Sequence, residues 1–241
     1  MKNIIFYLPL FYPDKKRFYK ILDLFEKYKV DYVEIGLPAE DPYMDGERIF
    51  RAHQQILQMQ YSDMQYLETL VDIHEKYSFS VILMGYYRDF MRFPAFYKDE
   101  SKRFFDAVLC VDIPADGTQK NNIPIINEQN TDSEIKQKIS NNPLFVYVMS
   151  SMGKTGSGEL RDNYIETMKR VKNQKMLPCF VGFQIKTEED VKRVLKNGAD
   201  GAIIGSELLK QVDISLEMAD IYIKNICMVK EQWEKKFAYL K

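Results

Sequence analysis

Cysteine is scarce in this chain of 241 residues, with only Cys110, Cys179 and Cys227. An odd count without CxxC spacing argues against a disulfide framework and a zinc site, and no metal is expected. Cys110 and Cys179 fall in apolar runs, where a free thiol behaves as a small hydrophobe. Charge of one sign is not in excess: Lys+Arg 34 against Asp+Glu 35, net charge -1. That balance gives no electrostatic ground for nucleic acid or an acidic membrane as partner. Long apolar runs are missing too. The first, after Met1-Lys2-Asn3, is interrupted by Pro9 and Pro13, too short for a signal or membrane segment. Linkers, low-complexity tracts and diagnostic repeats are absent, so a single domain over residues 1–241 in a reducing cytoplasm is expected. The two histidines, His53 and His74, sit on helical patterns and read as surface or internally satisfied residues.

What the chain does have is apolar bulk, 46% of its residues with 13% aromatic, enough for a substantial core. Strand-like runs occur at Ile4–Leu10, Tyr32–Gly36, Val81–Tyr87, Ala107–Ile113, Ile123–Asn127, Leu144–Ser150, Pro178–Phe183 and Gly201–Gly205. Most are continuously apolar, as parallel strands covered on both faces are. Helical spacing intervenes, as in Phe18, Ile21, Leu22, Phe25 and again in Ile49, Ala52, Ile56, Leu57. Thr187 with Asp190 reads as a capping box, and a long helix is expected from Ile214 to about Phe237. Roughly eight strand–helix units in ~240 residues is the count of an α/β fold of the (β/α)8 TIM barrel type. A doubly wound sheet usually has fewer strands, and no Gly-rich dinucleotide turn is present.

One segment stands out: Val33-Glu34-Ile35-Gly36-Leu37-Pro38-Ala39-Glu40-Asp41-Pro42-Tyr43-Met44-Asp45-Gly46. Alternation places Tyr32, Glu34 and Gly36 on one strand face and Val33 and Ile35 on the other. An ionised Glu there is costly unless paired or used in chemistry. Residue types alone fit two readings equally: a salt-bridged Glu34 followed by Asp45 as N-cap of a helix Glu47–Met59, or a catalytic pair. Further groups gather after strands, where barrels keep their active sites. They are Tyr86-Tyr87, Asp112, Tyr147, Thr155-Gly156, Gly182-Phe183-Gln184 and Gly205-Ser206. A Gly turn leading into a helix N-terminus is a ready anion site, although such glycines also serve simply as tight turns. The positions after strands seven and eight favour phosphate.

The segment from Glu34 to Gly46 resembles the E-[IL]-G-x-P-x-x-D-P-x-x-D-G signature of the tryptophan synthase alpha family. Gly182-Phe183-Gln184-Ile185 is similar to its GFGI, and Gly198 to Ser206 to its GADGxIxGS. Tyr147 to Gly156, Leu83 to Tyr87 and Val111 to Pro114 resemble further family segments, so the likeness runs from about residue 4 to 212 in unbroken order. The resemblance implies cleavage of indole-3-glycerol phosphate to indole and glyceraldehyde 3-phosphate. It implies Glu34 as general acid–base, Asp45 at the indole ring N–H and Tyr147 orienting Glu34 or the glycerol chain. Tyr7 and Phe183 would sandwich the indole, while Thr155, Gly156, Gln184, Gly205 and Ser206 would hold the phosphate. No cofactor is implied in this chain. Pyridoxal phosphate would belong to a partner beta subunit, in an alpha-beta-beta-alpha complex met through Asp41, Glu40 and Arg88.

Several residues depart from the family. Ala39-Glu40 stand where Phe-Ser is common, Arg88 where Asn is, Ser151 where Arg is, and Gln184 where the second Gly of GFGI is. The last change bears most on phosphate, because glycine lets the backbone approach closely; Lys186 or Lys154 could add charge. Glu40 and Arg88, of opposite sign, suggest a compensating change with each other or with a partner. Two other readings follow: a weakly active homologue serving as allosteric partner of a beta subunit, or a stand-alone lyase releasing indole.

Overall fold

The computed structural model describes residues 2–92, 105–112, 121–150 and 159–238. In chain order the elements are β1 Asn3–Pro9, α1 Lys15–Lys27, β2 Tyr32–Gly36, α2 Glu47–Gln58, α3 Asp63–Lys76, β3 Ser80–Gly85, α4 Tyr87–Arg92, β4 Ala107–Cys110 and β5 Ile125–Ile126. There follow α5 Asp132–Lys138, β6 Val146–Met149, α6 Asn163–Gln174, β7 Cys179–Gly182, α7 Glu188–Lys196, β8 Gly201–Ile204, α8 Ser206–Ile214 and α9 Leu216–Ala238. The strands form one sheet in the order β4-β3-β2-β1-β8-β7-β6-β5, with every pairing parallel. The outer strands meet through a parallel bridge between Val108 and Asn122. Its hydrogen bonds run from Val108 N–H to Asn121 O at 3.0 Å and from Ile123 N–H to Val108 O at 2.8 Å. The residues just ahead of β5, rather than β5 itself, thus curl the sheet into the expected TIM barrel.

Alternation sorts the core into two layers. Outward residues such as Phe6, Val33, Ile35 and Val81 pack against helices, with the Phe6 and Phe25 rings stacked at 5.3 Å. Inward residues, including Ile5, Leu109, Phe145, Phe180 and Ile203, fill the barrel. Phe145 stacks on Phe180 at 4.3 Å, and Tyr32 meets both edge-on at 6.1 and 6.0 Å. These three rings plug the interior beneath the level of Glu34.

Helix starts follow local chemistry. Ser62 with Gln65, Thr131 with Glu134 and Thr187 with Asp190 each form a complete capping box, the last as expected. Several expected boundaries shift. β4 ends at Cys110, leaving Val111 and Asp112 beyond it, and β5 shortens to Ile125–Ile126. Tyr87 opens α4 instead of ending β3, and the C-terminal helix begins at Leu216 because Ile214 closes α8. Ser215 is extended, and its Oγ accepts the Met218 N–H at 3.1 Å, so it punctuates the two helices. Ile113 lies outside the described residues. Among those described, no helix is long and apolar enough to cross a membrane.

Candidate active site

The inward face of β2 carries Glu34 into the barrel, 1% exposed, with Oε1 accepting no hydrogen bond among the described residues. Among the described residues no cation stands beside it to make the salt bridge that one sequence reading required. Burial alone pushes its carboxyl up to about 8, so at neutral pH the group is largely protonated. A neutral acid in an apolar chamber can deliver a proton and later take one back.

Asp45 sits on the loop after β2, 6% exposed, and is not the N-cap of α2. Gly46 occupies that position without a side-chain cap, while Asp45 turns inward to the mouth of the barrel. Its Oδ2 accepts the Tyr86 hydroxyl at 2.7 Å, and Tyr86 Oη in turn accepts the Met44 N–H at 3.2 Å. A phenol held on a carboxylate stabilises its charged form and fixes its direction.

Tyr7 pairs in register with Glu34 on the neighbouring strand. Its ring lies over Gly36, where a Cβ would come within 2.5 Å of the hydroxyl, so only glycine leaves room for it. Gly182 does the same for Tyr147, whose hydroxyl would meet a Cβ at 2.1 Å. Tyr147 faces Phe183 edge-on, with centroids 6.1 Å apart and planes at 84°. Burial, then the Glu34 charge and then that of Asp45, raise the Tyr147 phenol well above its ordinary value. It is a neutral hydroxyl lying over Gly182 in the same chamber as both acids.

These groups share one cavity of about 740 Å³, mouth included, lined by Tyr7, Glu34, Asp45, Tyr86, Tyr147, Phe183, Gln184, Gly205 and Ser206. Met44, Ile49, Met84, Leu109, Met149 and Ile203 make the rest of the wall largely apolar. Eight expected site residues thus converge with Tyr86: Glu34, Asp45, Tyr147, Tyr7, Phe183, Gln184 and the Gly205-Ser206 pair that opens α8. Thr155 and Gly156 lie outside the described residues, as do Ser151 and Lys154. Lys186 is not part of the wall. Phe183 and Gln184 both take left-handed backbone, at φ 71° and 58°. Gln184 therefore adopts at this turn the conformation glycine would adopt without strain.

Asp41, Glu40 and Arg88 stand outside the cavity on the exposed rim. Arg88 lies 3.5 Å from the Glu40 carboxylate, pairing two of the residues that depart from the family pattern.

Sequence reasoning missed His53 as part of this neighbourhood. It is 2% exposed, with Nε2 3.0 Å from the Tyr7 hydroxyl and Nδ1 accepting the Ala39 N–H at 3.2 Å. The signal was present, since His53 falls one helical turn from Ile49 and Ile56 on the inward stripe of α2. His74 is exposed, as expected. Among the described residues no group of three or more His, Cys, Asp or Glu could hold a metal ion.

This arrangement has clear relatives. The chain is 34% identical over 224 residues to the tryptophan synthase alpha chain of Thermotoga petrophila, covering 89% of this chain and 92% of that one. It is 28% identical over 240 residues to that of Dehalococcoides mccartyi, covering 93% and 94%. In three dimensions it superposes on a Mycobacterium tuberculosis tryptophan synthase structure with a TM-score of 0.84 at 23% identity, covering 95% of this chain and 92% of that one. A mutant alpha subunit from Pyrococcus furiosus gives 0.79 at 22% identity, covering 93% and 96%. The family model described as tryptophan synthase alpha chain matches residues 1–237, the length that builds both barrel and cavity, and the chain belongs to that family.

Proposed function

We propose that this chain cleaves indole-3-glycerol phosphate to indole and glyceraldehyde 3-phosphate. The observation that carries the reading is a buried Glu34, with no cation beside it among the described residues, sharing a largely apolar cavity with an Asp45 held by Tyr86. Glu34 gives its proton to indole C3, leaving an indoleninium-like cation. The bond from C3 to the side chain then breaks and its electron pair returns to the ring. The hydroxyl on the departing carbon becomes the aldehyde, and its proton goes back to Glu34, so the residue ends as it began. Asp45 accepts from the ring N–H and stabilises the positive charge that develops there. Tyr147 orients Glu34 and the chain hydroxyls. Tyr7 and Phe183 flank the ring, and the backbone N–H groups at Gln184 and at the start of α8 receive the phosphate, with Thr155 and Gly156 assigned there by family pattern.

The same reading assigns a pyridoxal-phosphate beta subunit as partner, meeting the rim that carries Asp41, Glu40 and Arg88; this chain needs no cofactor of its own for the cleavage. The test is indole release from indole-3-glycerol phosphate by wild type, Glu34→Gln and Asp45→Asn, with and without beta subunit. Each substitution should cost at least about 10²-fold. Unchanged turnover in Glu34→Gln defeats the assignment. Rapid release without a partner identifies a stand-alone lyase. No release in either setting, with the beta subunit still activated, identifies an allosteric binding subunit.

A further inference from the structure

His53 does more than fill space behind the cavity wall. Its Nδ1 accepts the backbone N–H of Ala39 at 3.2 Å, and an accepting ring nitrogen carries no hydrogen. The single proton of the neutral ring is then on Nε2, 3.0 Å from the Tyr7 hydroxyl. Burial favours the neutral ring, holding its pKa down at about 4. With Nε2–H donating, the Tyr7 oxygen is the acceptor in that bond and its own hydrogen must point elsewhere. Tyr7 is 4% exposed and lines the cavity beside Glu34, its register partner.

We infer that His53 is a positioning residue that, through one backbone-fixed tautomer, turns the Tyr7 O–H into the cavity and makes Tyr7 a hydrogen-bond donor to the substrate. Tyr7 is then a directed polar group as well as an aromatic wall. The inference rests on the lyase reading and adds to it a residue outside the cavity acting through one inside.

Two measurements test it. Nitrogen-15 NMR of histidine-labelled wild-type protein at pH 7 should find His53 as the neutral Nε2–H tautomer; with only two histidines in the chain, the exposed His74 serves as internal reference. An Nδ1–H tautomer or an imidazolium overturns the inference without any variant having to fold. The second is a double-mutant cycle on indole release with Tyr7→Phe, His53→Leu and both together. Tyr7→Phe should lower kcat/KM by about tenfold, the scale of one hydrogen bond, chiefly through kcat. His53→Leu should lose a similar factor, and the double variant no more than Tyr7→Phe alone. Additive losses, or full activity in Tyr7→Phe, overturn the inference in an enzyme that is itself active. A wild-type chain that releases no indole removes the lyase reading and the role of Tyr7 in it together.

Discussion

Gln184 holds a backbone angle, φ 58°, that costs an ordinary side chain about 1 kcal/mol relative to glycine. Its side chain is also 5% exposed and faces the end of the cavity assigned to phosphate. Gln184→Gly should relieve the strain and free the N–H groups for closer approach. Steady-state kinetics should then give a KM for the phosphorylated substrate lowered a few-fold, with kcat little changed. A raised KM would instead make the Gln184 side chain a phosphate ligand in its own right. Asp45 illustrates the same dependence on surroundings. By sequence it fits a helix cap as well as a catalytic group; in the fold its carboxylate turns inward and accepts the hydroxyl of Tyr86, 41 positions away.

Among the elements, β7 is where packing and chemistry meet most tightly. Tyr147 on β6 can lie across it only because Gly182 has no Cβ. Gly182→Ala should leave the barrel folded but force the Tyr147 ring to swing away, reducing kcat far more than thermal stability. A melting curve beside the rate assay separates the two effects. On the rim, the loop after β2 and α4 are linked by Glu40 and Arg88, whose side chains are 64% and 81% exposed. Such a pair contributes less than about 1 kcal/mol to the fold. Exchanging the charges, Glu40→Arg with Arg88→Glu, should leave the melting temperature unchanged and weaken association with a beta subunit about tenfold, read by titration calorimetry. Unaltered affinity would place both residues outside the interface.

The whole molecule pays a stability cost for its site, and the cost depends on pH. Glu34 is neutral in the fold up to about 8 but ionises near 4.5 once unfolded. The unfolded chain therefore binds fewer protons between those values, and stability falls as pH rises through that window. His53 acts oppositely. Its folded value is about 4 against 6.5, so stability falls as pH drops through that range. The two slopes cancel from about pH 4.5 to 6.5. Above that Glu34 acts alone, at about 1.4 kcal/mol per pH unit. Urea unfolding of Glu34→Gln beside wild type should find the variant's advantage growing up to about pH 8 and then levelling. A constant difference across that range would mean Glu34 is ionised in the fold.

Much of this was legible from residue order. The continuous apolar runs named all eight strands, because strands covered on both faces have no polar side to display. Alternation put Glu34 on one strand face with Tyr32 and Gly36, and the Thr187–Asp190 box set the start of α7, since both rest on neighbours a few positions apart. What escaped was whatever depends on a distant partner: the closure at Val108 and Asn122, the Tyr86 bond to Asp45, and His53 behind Tyr7. Local sequence determined the elements and which side chains share a face, because periodicity and capping are short-range effects. Only the closed barrel decided which of those side chains share a cavity and in what protonation state, because desolvation and hydrogen bonding depend on everything that surrounds a group.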